Sequence, residues 1–182
     1  MNETEVIATT SQWLERAVIG LNLCPFAKAA YVKQRVRFTV SAATSGEALL
    51  DDLILALQYL HAADPAECET TLLIHPQALT DFLDYNDFLD AADAALDALS
   101  LTGVIQVASF HPQYQFAGTQ ADEIENFTNR APYPLLHLLR EDSIETAVES
   151  YPDVDDIPRR NIDTLRRLGP EGWARCLAAD KT

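Results

Sequence analysis

Two histidines at the ends of apolar runs are the first candidates for chemistry. His75 ends the run TTLLIH and His111 ends the run VIQVASFH, and a proline follows each of them directly. Ligands of open parallel sheets bind at the carboxyl ends of the strands, and a proline turns the chain away after the imidazole. If the two strands are neighbours, the rings can share a proton, a metal ion or a substrate. We predict that they act as catalytic acid and base or as metal ligands. The alternative is that they bond only to loop carbonyl groups.

Cys24 is the third candidate for catalysis or metal binding. Pro25 suits the first position of a helix, which predicts Cys24 at the N-cap, where free amides and the helix dipole stabilise a thiolate. Lys28, one turn further on, adds positive charge. Leu23 and Phe26 favour the alternative of a plain core cysteine. A thiolate near imidazole serves a transition metal ion or a Cys/His nucleophilic mechanism equally, and the sequence does not choose between them.

Arg130 is the predicted anion-binding residue. No Lys or Arg occurs between Phe38 and Asn129, so Arg130 is the first positive charge after a long acidic stretch. A guanidinium in this loop can hold a carboxylate or a phosphate, and the alternative is a salt bridge to the acidic middle of the chain. The neighbouring polar residues predicted to contact substrate are Gln113, Asn129 and Tyr133.

These candidates predict a small-molecule enzyme, a transferase or a hydrolase, that acts on an anionic substrate at the strand ends. The alternative function is a non-catalytic interaction module, in which the acidic middle of the chain meets a basic partner. No P-loop, G-x-S-x-G, HExxH or Rossmann glycine motif occurs, so enzymes of those kinds are disfavoured.

The charge of the chain narrows its partners. Thirteen Lys and Arg oppose 28 Asp and Glu, for a formal net charge of -15, which disfavours nucleic acid and anionic membranes as partners. Five aspartates between Asp84 and Asp97 fall opposite the apolar stripe of a predicted helix, so we interpret them as a solvated face rather than a cation site. The acidic N-terminus, the absence of a long apolar run and three widely spaced cysteines predict a cytoplasmic protein with reduced thiols.

The hydrophobic pattern predicts one α/β domain over residues 1–182. Its parts are N-terminal helices in 1–33, a strand–helix core in 34–118, and a loop with a helical C-terminal segment in 119–182. Strands at 34–41, Thr70–His75 and Val104–Phe110 alternate with helices at 44–61 and 80–99, which predicts a small, mainly parallel sheet of three or four strands. The alternative is a ferredoxin-like α+β fold with an added antiparallel strand in Gln113–Ala117. Further helices are predicted at Pro134–Arg140, Ser143–Ser150 and Pro158–Leu168.

Three blocks of the sequence carry a resemblance to a known family. WLERAVIGLNLCPFA (13–27), FHPQYQFAG (110–118) and NFTNRAPYPLLHLLRE (126–141) resemble the bacterial family designated domain of unknown function 1415. The likeness spans nearly the whole chain. It implies a cytosolic bacterial protein and carries no established activity, so no catalytic role follows from it.

Overall fold

The sheet at the centre of the protein has four strands. In the computed structural model, which describes residues 2–149, 151 and 153–178, they are β1 (Val36–Val40), β2 (Thr70–Ile74), β3 (Ile105–Phe110) and β4 (Leu135–Arg140). Their spatial order is β1-β2-β4-β3. β1 runs parallel to β2, whereas β4 is antiparallel to both β2 and β3. The predicted mixed α/β class is confirmed, but the prediction of a mainly parallel sheet is wrong.

Helices flank the sheet and form both ends of the chain. They are α1 (Glu3–Trp13), which continues as a π-helical segment at Leu14–Ile19, α2 (Ala27–Val32), α3 (Gly46–Ala62), α4 (Phe82–Ala98), α5 (Glu141–Glu149) and α6 (Ile157–Leu177). Gly169, at φ +66°, and Pro170 break α6 where the sequence predicted a helix to stop. Ser150, the predicted end of α5, lies outside the described residues. Within the described ranges no helix combines the length and the apolar character that a membrane span requires.

β4 is the main departure from prediction, because Pro134–Arg140 was expected to be a helix. Its run LLHLLR has no β-branched residue, so local propensity favours a helix. In the fold, β2 and β3 run in the same direction, with a gap one strand wide between them. β4 fills that gap, and His137 pairs with Leu72 on one side and with Ala108 on the other. The ferredoxin-like alternative did include an antiparallel strand, but it placed the strand in 113–117, which is irregular.

Alternation along β4 divides its side chains between two cores. Leu136 and Leu138 face α3 and α4 and join the core on that side. Leu135 faces the opposite side, where the core consists of residues from α1, the π-helical segment and α6. His137 shares this second face because it lies two residues further along the strand. The register of β4 therefore decides which side of the sheet receives the histidine.

The long segment between β3 and β4 is held by a buried asparagine. Asn126 is 0% exposed. Its Oδ1 accepts hydrogen bonds from the Phe116 amide at 2.9 Å and the Thr119 hydroxyl at 2.8 Å, and its Nδ2 donates to the Gln120 carbonyl at 2.7 Å. These bonds satisfy the backbone of an otherwise irregular segment.

The aspartates of α4 are all exposed, as predicted for a solvated face. The buried positions of this helix are Tyr85, Phe88, Ala92, Ala95 and Leu96. The exposed carboxylates are those of Asp84, Asp87, Asp90, Asp93 and Asp97.

We expect Gly20→Ala to destabilise the fold. A Cβ at Gly20, just after the π-helical segment, would lie 2.3 Å from the Arg16 carbonyl oxygen, which is backbone and cannot move aside. The expected loss in the free energy of unfolding is about 1–3 kcal/mol, as for other overpacked sites. Urea unfolding of purified protein measures it.

Gly46→Ala is the matched control. A Cβ there meets only side-chain atoms of Phe88 and Leu79, at 3.6 and 3.7 Å, and alanine is the better helix former. We expect its stability to equal or exceed that of the wild type. Equal stability of the two variants would contradict the geometry of the π-helical segment.

Candidate functional site

The two predicted catalytic histidines lie together around one tyrosine. The ring of Tyr85, from α4, is 5.6 Å from the ring of His75 and 5.2 Å from that of His111, between centroids. We call these three residues the histidine–tyrosine cluster. It forms because His75 follows β2 and His111 follows β3, at the same edge of the sheet. Although β4 separates the two strands, the sequence correctly placed both histidines at this edge.

Both histidines are sealed from solvent and bonded to backbone. Each is 0% exposed. Nδ1 of His75 donates to the Ala78 carbonyl at 3.0 Å. Nδ1 of His111 accepts from the Gln113 amide at 3.0 Å, which leaves Nε2 to donate to the Leu79 carbonyl at 3.3 Å. The two bonds to carbonyl groups agree with the alternative interpretation, but His111 also accepts from an amide, and Nε2 of His75 is buried without a hydrogen-bond partner among the described residues. Neither ring is open to solvent in this conformation.

Burial also sets the protonation of the cluster. Loss of solvation lowers the pKa of His75 to about 4 and lowers the pKa of His111 below its ordinary value. The same effect raises the pKa of Tyr85, whose hydroxyl donates to the Leu135 carbonyl at 2.8 Å and accepts from the Phe110 amide at 3.0 Å. All three side chains are therefore neutral at pH 7, and the tyrosine ties α4 to the ends of β3 and β4.

Cys24 lies elsewhere, beside a cavity on the other face of the sheet. This sheet cavity has a volume of about 540 Å³ and is bounded by the sheet, the π-helical segment, α2 and α5. It reaches Thr70 at the start of β2, whereas His75 follows the end of that strand. Neither His75 nor His111 lines the cavity, although Phe110, the residue before His111, does. The cavity is lined mainly by apolar side chains, among them Leu14, Val18, Leu72, Ala108, Phe110, Leu139, Ile144 and Ala147.

The thiol of Cys24 is not a stabilised thiolate. α2 begins at Ala27 rather than at Pro25, and Phe26 is its N-cap. Burial raises the pKa of the Cys24 thiol, although hydrogen bonds from the amides of Phe26 and Ala27 act in the opposite direction. The direction is opposite to the predicted one because the apolar surroundings outweigh the helix terminus.

His137 is one of the polar side chains at the sheet wall of the cavity, together with Glu69, Thr70 and Arg140. The Thr70 hydroxyl donates to the Leu138 carbonyl at 2.6 Å, so it accepts from Nε2 of His137 at 2.7 Å. This fixes the tautomer with the proton on Nε2. Nδ1 has no hydrogen-bond partner among the described residues and is not sealed in the protein. Because burial lowers the pKa of His137 to about 4, the ring presents a neutral acceptor at pH 7.

The predicted anion-binding residues lie in or beside the segment between β3 and β4. Nδ2 of Asn129 donates to the Ser109 carbonyl at 3.0 Å, Gln113 is exposed, and Tyr133 packs against the core of the second face. Arg130 lines a separate pocket of about 340 Å³, which we call the Arg130 pocket. Its guanidinium bonds to backbone carbonyls of its own segment, and it is not the salt bridge of the alternative interpretation.

Cys24, His75 and His111 therefore do not share one site in this structure. The described part of the chain also contains no group of three or more His, Cys, Asp and Glu side chains placed to hold a metal ion. Their predicted roles as a common catalytic or metal-binding set stay a prediction without geometric support.

Sequence reasoning missed His137 and Thr70 as hydrogen-bonded partners in one wall of a cavity. His137 lies in Pro134–Arg140, which the sequence predicted as a helix. A strand assignment would have placed His137 and Leu139 on one face, and the proline before the short apolar run is the signal that could have suggested it.

One family model matches the chain, over residues 5–175, and its description is "Protein of unknown function (DUF1415)". The match confirms the resemblance drawn from the three sequence blocks. No curated protein matches the chain, and no solved structure matches it.

We expect the protein to become less stable as the pH is lowered, because of His75. Its pKa in the folded state, about 4, lies below its ordinary value of 6.5, so the unfolded state takes up the proton first. The contribution is complete above pH 6.5 and is lost as the pH falls toward 4, by about 1.4 kcal/mol per pH unit. Urea unfolding at a series of pH values measures this slope.

His75→Gln should reduce that slope by about 1.4 kcal/mol per pH unit between pH 6.5 and 5, whatever its stability at pH 7. Part of the slope should remain, because burial also lowers the pKa values of His137 and His111. His61→Gln, at an exposed position of α3, is the control and should leave the slope unchanged. An identical slope for wild type and His75→Gln would show that the buried ring is not the group that titrates.

Proposed function

Because this chain belongs to the DUF1415 family, whose description assigns no activity, we propose its function from the site itself: the sheet cavity binds a small, mainly apolar molecule that carries a hydrogen-bond donor. The observation that carries the proposal is the neutral ring of His137, with Nδ1 unpaired, in the wall of a cavity of about 540 Å³. The proposal keeps the small-molecule ligand predicted from the sequence and changes its site and its charge.

The size and walls of the cavity suit such a ligand. Pockets for small molecules usually measure about 300–1,000 Å³ and are mainly apolar with few polar groups. Here the apolar wall comes from the sheet on one side and from Leu14 and Val18 of the π-helical segment on another. Burial of apolar ligand surface contributes about 25 cal/mol per Å². π-Helical segments in longer helices often accompany functional sites.

His137 selects the polar group of the ligand. Its Nε2 proton is used by Thr70, so Nδ1 can only accept a hydrogen bond. The ring and the Cys24 thiol, both lining the cavity, are uncharged at pH 7. Two charged residues also line the cavity, but the Glu69 carboxylate pairs with Arg35 at 3.8 Å and the Arg140 guanidinium donates to backbone carbonyls. An ionised ligand would therefore lose solvation without meeting an unpaired opposite charge among these groups. An alcohol, a phenol or an N–H group pairs with Nδ1 at no such cost.

α5 covers the cavity but buries little of its own surface there. No residue of this helix is fully buried, yet Ser143, Ile144 and Ala147 contribute to the cavity lining. A bound molecule would supply the apolar surface that these side chains lack. Binding of the ligand should therefore also stabilise α5, because the helix gains apolar contacts with it.

A displacement assay tests the proposal with a matched pair of compounds. N-phenyl-1-naphthylamine, a neutral fluorescent amine, is the reporter, and 1-naphthol and naphthalene are the competitors. We expect 1-naphthol to bind more tightly than naphthalene to the wild type. His137→Leu should remove that preference and leave naphthalene binding in place. The preference itself should be about tenfold or less, because that is the effect of one hydrogen bond to a buried acceptor on affinity.

Filling the cavity provides the second arm of the assay. Ala147→Phe, on the side of α5 that lines the cavity, should abolish reporter binding by occupying the space. Ala94→Phe, on the exposed face of α4, should bind the reporter as the wild type does. Reporter binding that survives Ala147→Phe, or a naphthol preference that survives His137→Leu, would contradict the proposed site.

A further inference from the structure

We infer that the Arg130 pocket is a second binding site, for a small organic carboxylate with an apolar body. It goes beyond the proposed function because it lies outside the sheet cavity, with which it shares only Trp13 in its lining. It is formed by α1, by the segment between β3 and β4, and by the end of α6. Each site can be occupied while the other is empty.

The guanidinium of Arg130 is held in place but carries no counter-charge. Nε donates to the Tyr114 carbonyl at 3.2 Å and Nη2 to the Ala121 carbonyl at 2.5 Å. The Cζ atom lies 4.4 Å from the ring centroid of Phe127. Among the described residues, no carboxylate oxygen lies within 4.0 Å of it and nothing accepts from Nη1. A half-buried cation without a carboxylate is unusual in a chain with 28 acidic residues.

Further polar groups face the same pocket from α1. Thr9 and Gln12, three residues apart and therefore on one face of the helix, both line it. Neither side chain has a hydrogen bond in the described part of the protein. A hydroxyl, a carboxamide and a guanidinium nitrogen thus remain available to one ligand, and the fixed guanidinium favours an oxyanion.

The walls of the pocket define the rest of the ligand. They are aromatic and apolar, with Trp13, Phe127 and Trp173 among them. The Trp13 indole donates to the Arg130 carbonyl at 3.0 Å, and the rings of Phe127 and Trp173 meet edge to face at 5.4 Å. A volume of about 340 Å³ accommodates one ring or a short chain. With a single guanidinium in a protein of net charge -15, a monoanion is favoured over a phosphate dianion.

Intrinsic fluorescence reports on this site because both tryptophans of the chain line it: Trp173, which does not line the sheet cavity, and Trp13, which lines both. The probe is phenylacetate, and phenylacetamide is its uncharged counterpart. We expect phenylacetate to change the tryptophan emission with an affinity at least about tenfold greater than that of the amide. Added salt should weaken the binding of phenylacetate only.

Substitutions at Gln12 test the charge requirement without disturbing the hydrogen bonds of Arg130. Gln12→Glu places a negative charge in the pocket and should weaken phenylacetate binding by about tenfold, while Gln12→Lys should strengthen it. Thermal unfolding confirms that both variants fold. His137→Leu, which alters the sheet cavity, should bind phenylacetate as the wild type does.

Three outcomes would overturn the inference. One is the absence of any fluorescence change with phenylacetate up to about 10 mM, a range that covers even weak small-molecule binding. Another is equal affinity for the acid and the amide. The third is an affinity for phenylacetate that is the same in Gln12→Glu, Gln12→Lys and the wild type.

Discussion

The pairing of β4 with both β2 and β3 is the constraint on which both histidine sites depend. Its two antiparallel ladders join β2 and β3, which do not pair with each other. The same ladders put His137 on the cavity side and Leu136 on the side of α3 and α4. At the start of β4, the Pro134 carbonyl accepts from the His75 amide at 3.0 Å and the Leu135 carbonyl accepts from the Tyr85 hydroxyl. One strand thus fixes the geometry of two distant groups.

Loss of solvation governs the chemistry of both groups of side chains. At the ends of β2 and β3 it makes the histidine–tyrosine cluster neutral and closed to solvent. On the face of the sheet that borders the cavity it keeps His137 unprotonated and Cys24 in the thiol form. The difference is access: the rings of His75 and His111 are fully buried, whereas His137 borders an open volume. The mainly apolar lining and the oriented acceptor of His137 are the basis for proposing a neutral ligand rather than ionic chemistry.

The acidic character of the chain has little to do with these sites. The aspartates of α4 point into solvent, where they favour solubility and repel anions at long range. Arg130 lines a pocket between α1 and the end of α6, and its bonds to backbone carbonyls fix it without neutralising it. An anion at this position would be held by the fixed guanidinium of Arg130, although the net negative charge of the protein repels anions.

The sequence by itself determined β1, α3, β2, α4 and β3 and the solvated face of α4, because periodicity and turn residues are local signals. It also carried the family, through the resemblance of three long sequence blocks. It also placed His75 and His111 at one edge. Only the tertiary structure decided that Leu135–Arg140 is a strand, and with it the order of the sheet and the position of His137. Strand pairing depends on backbone hydrogen bonds between residues far apart in the chain, and a leucine-rich run takes whichever form those partners complete.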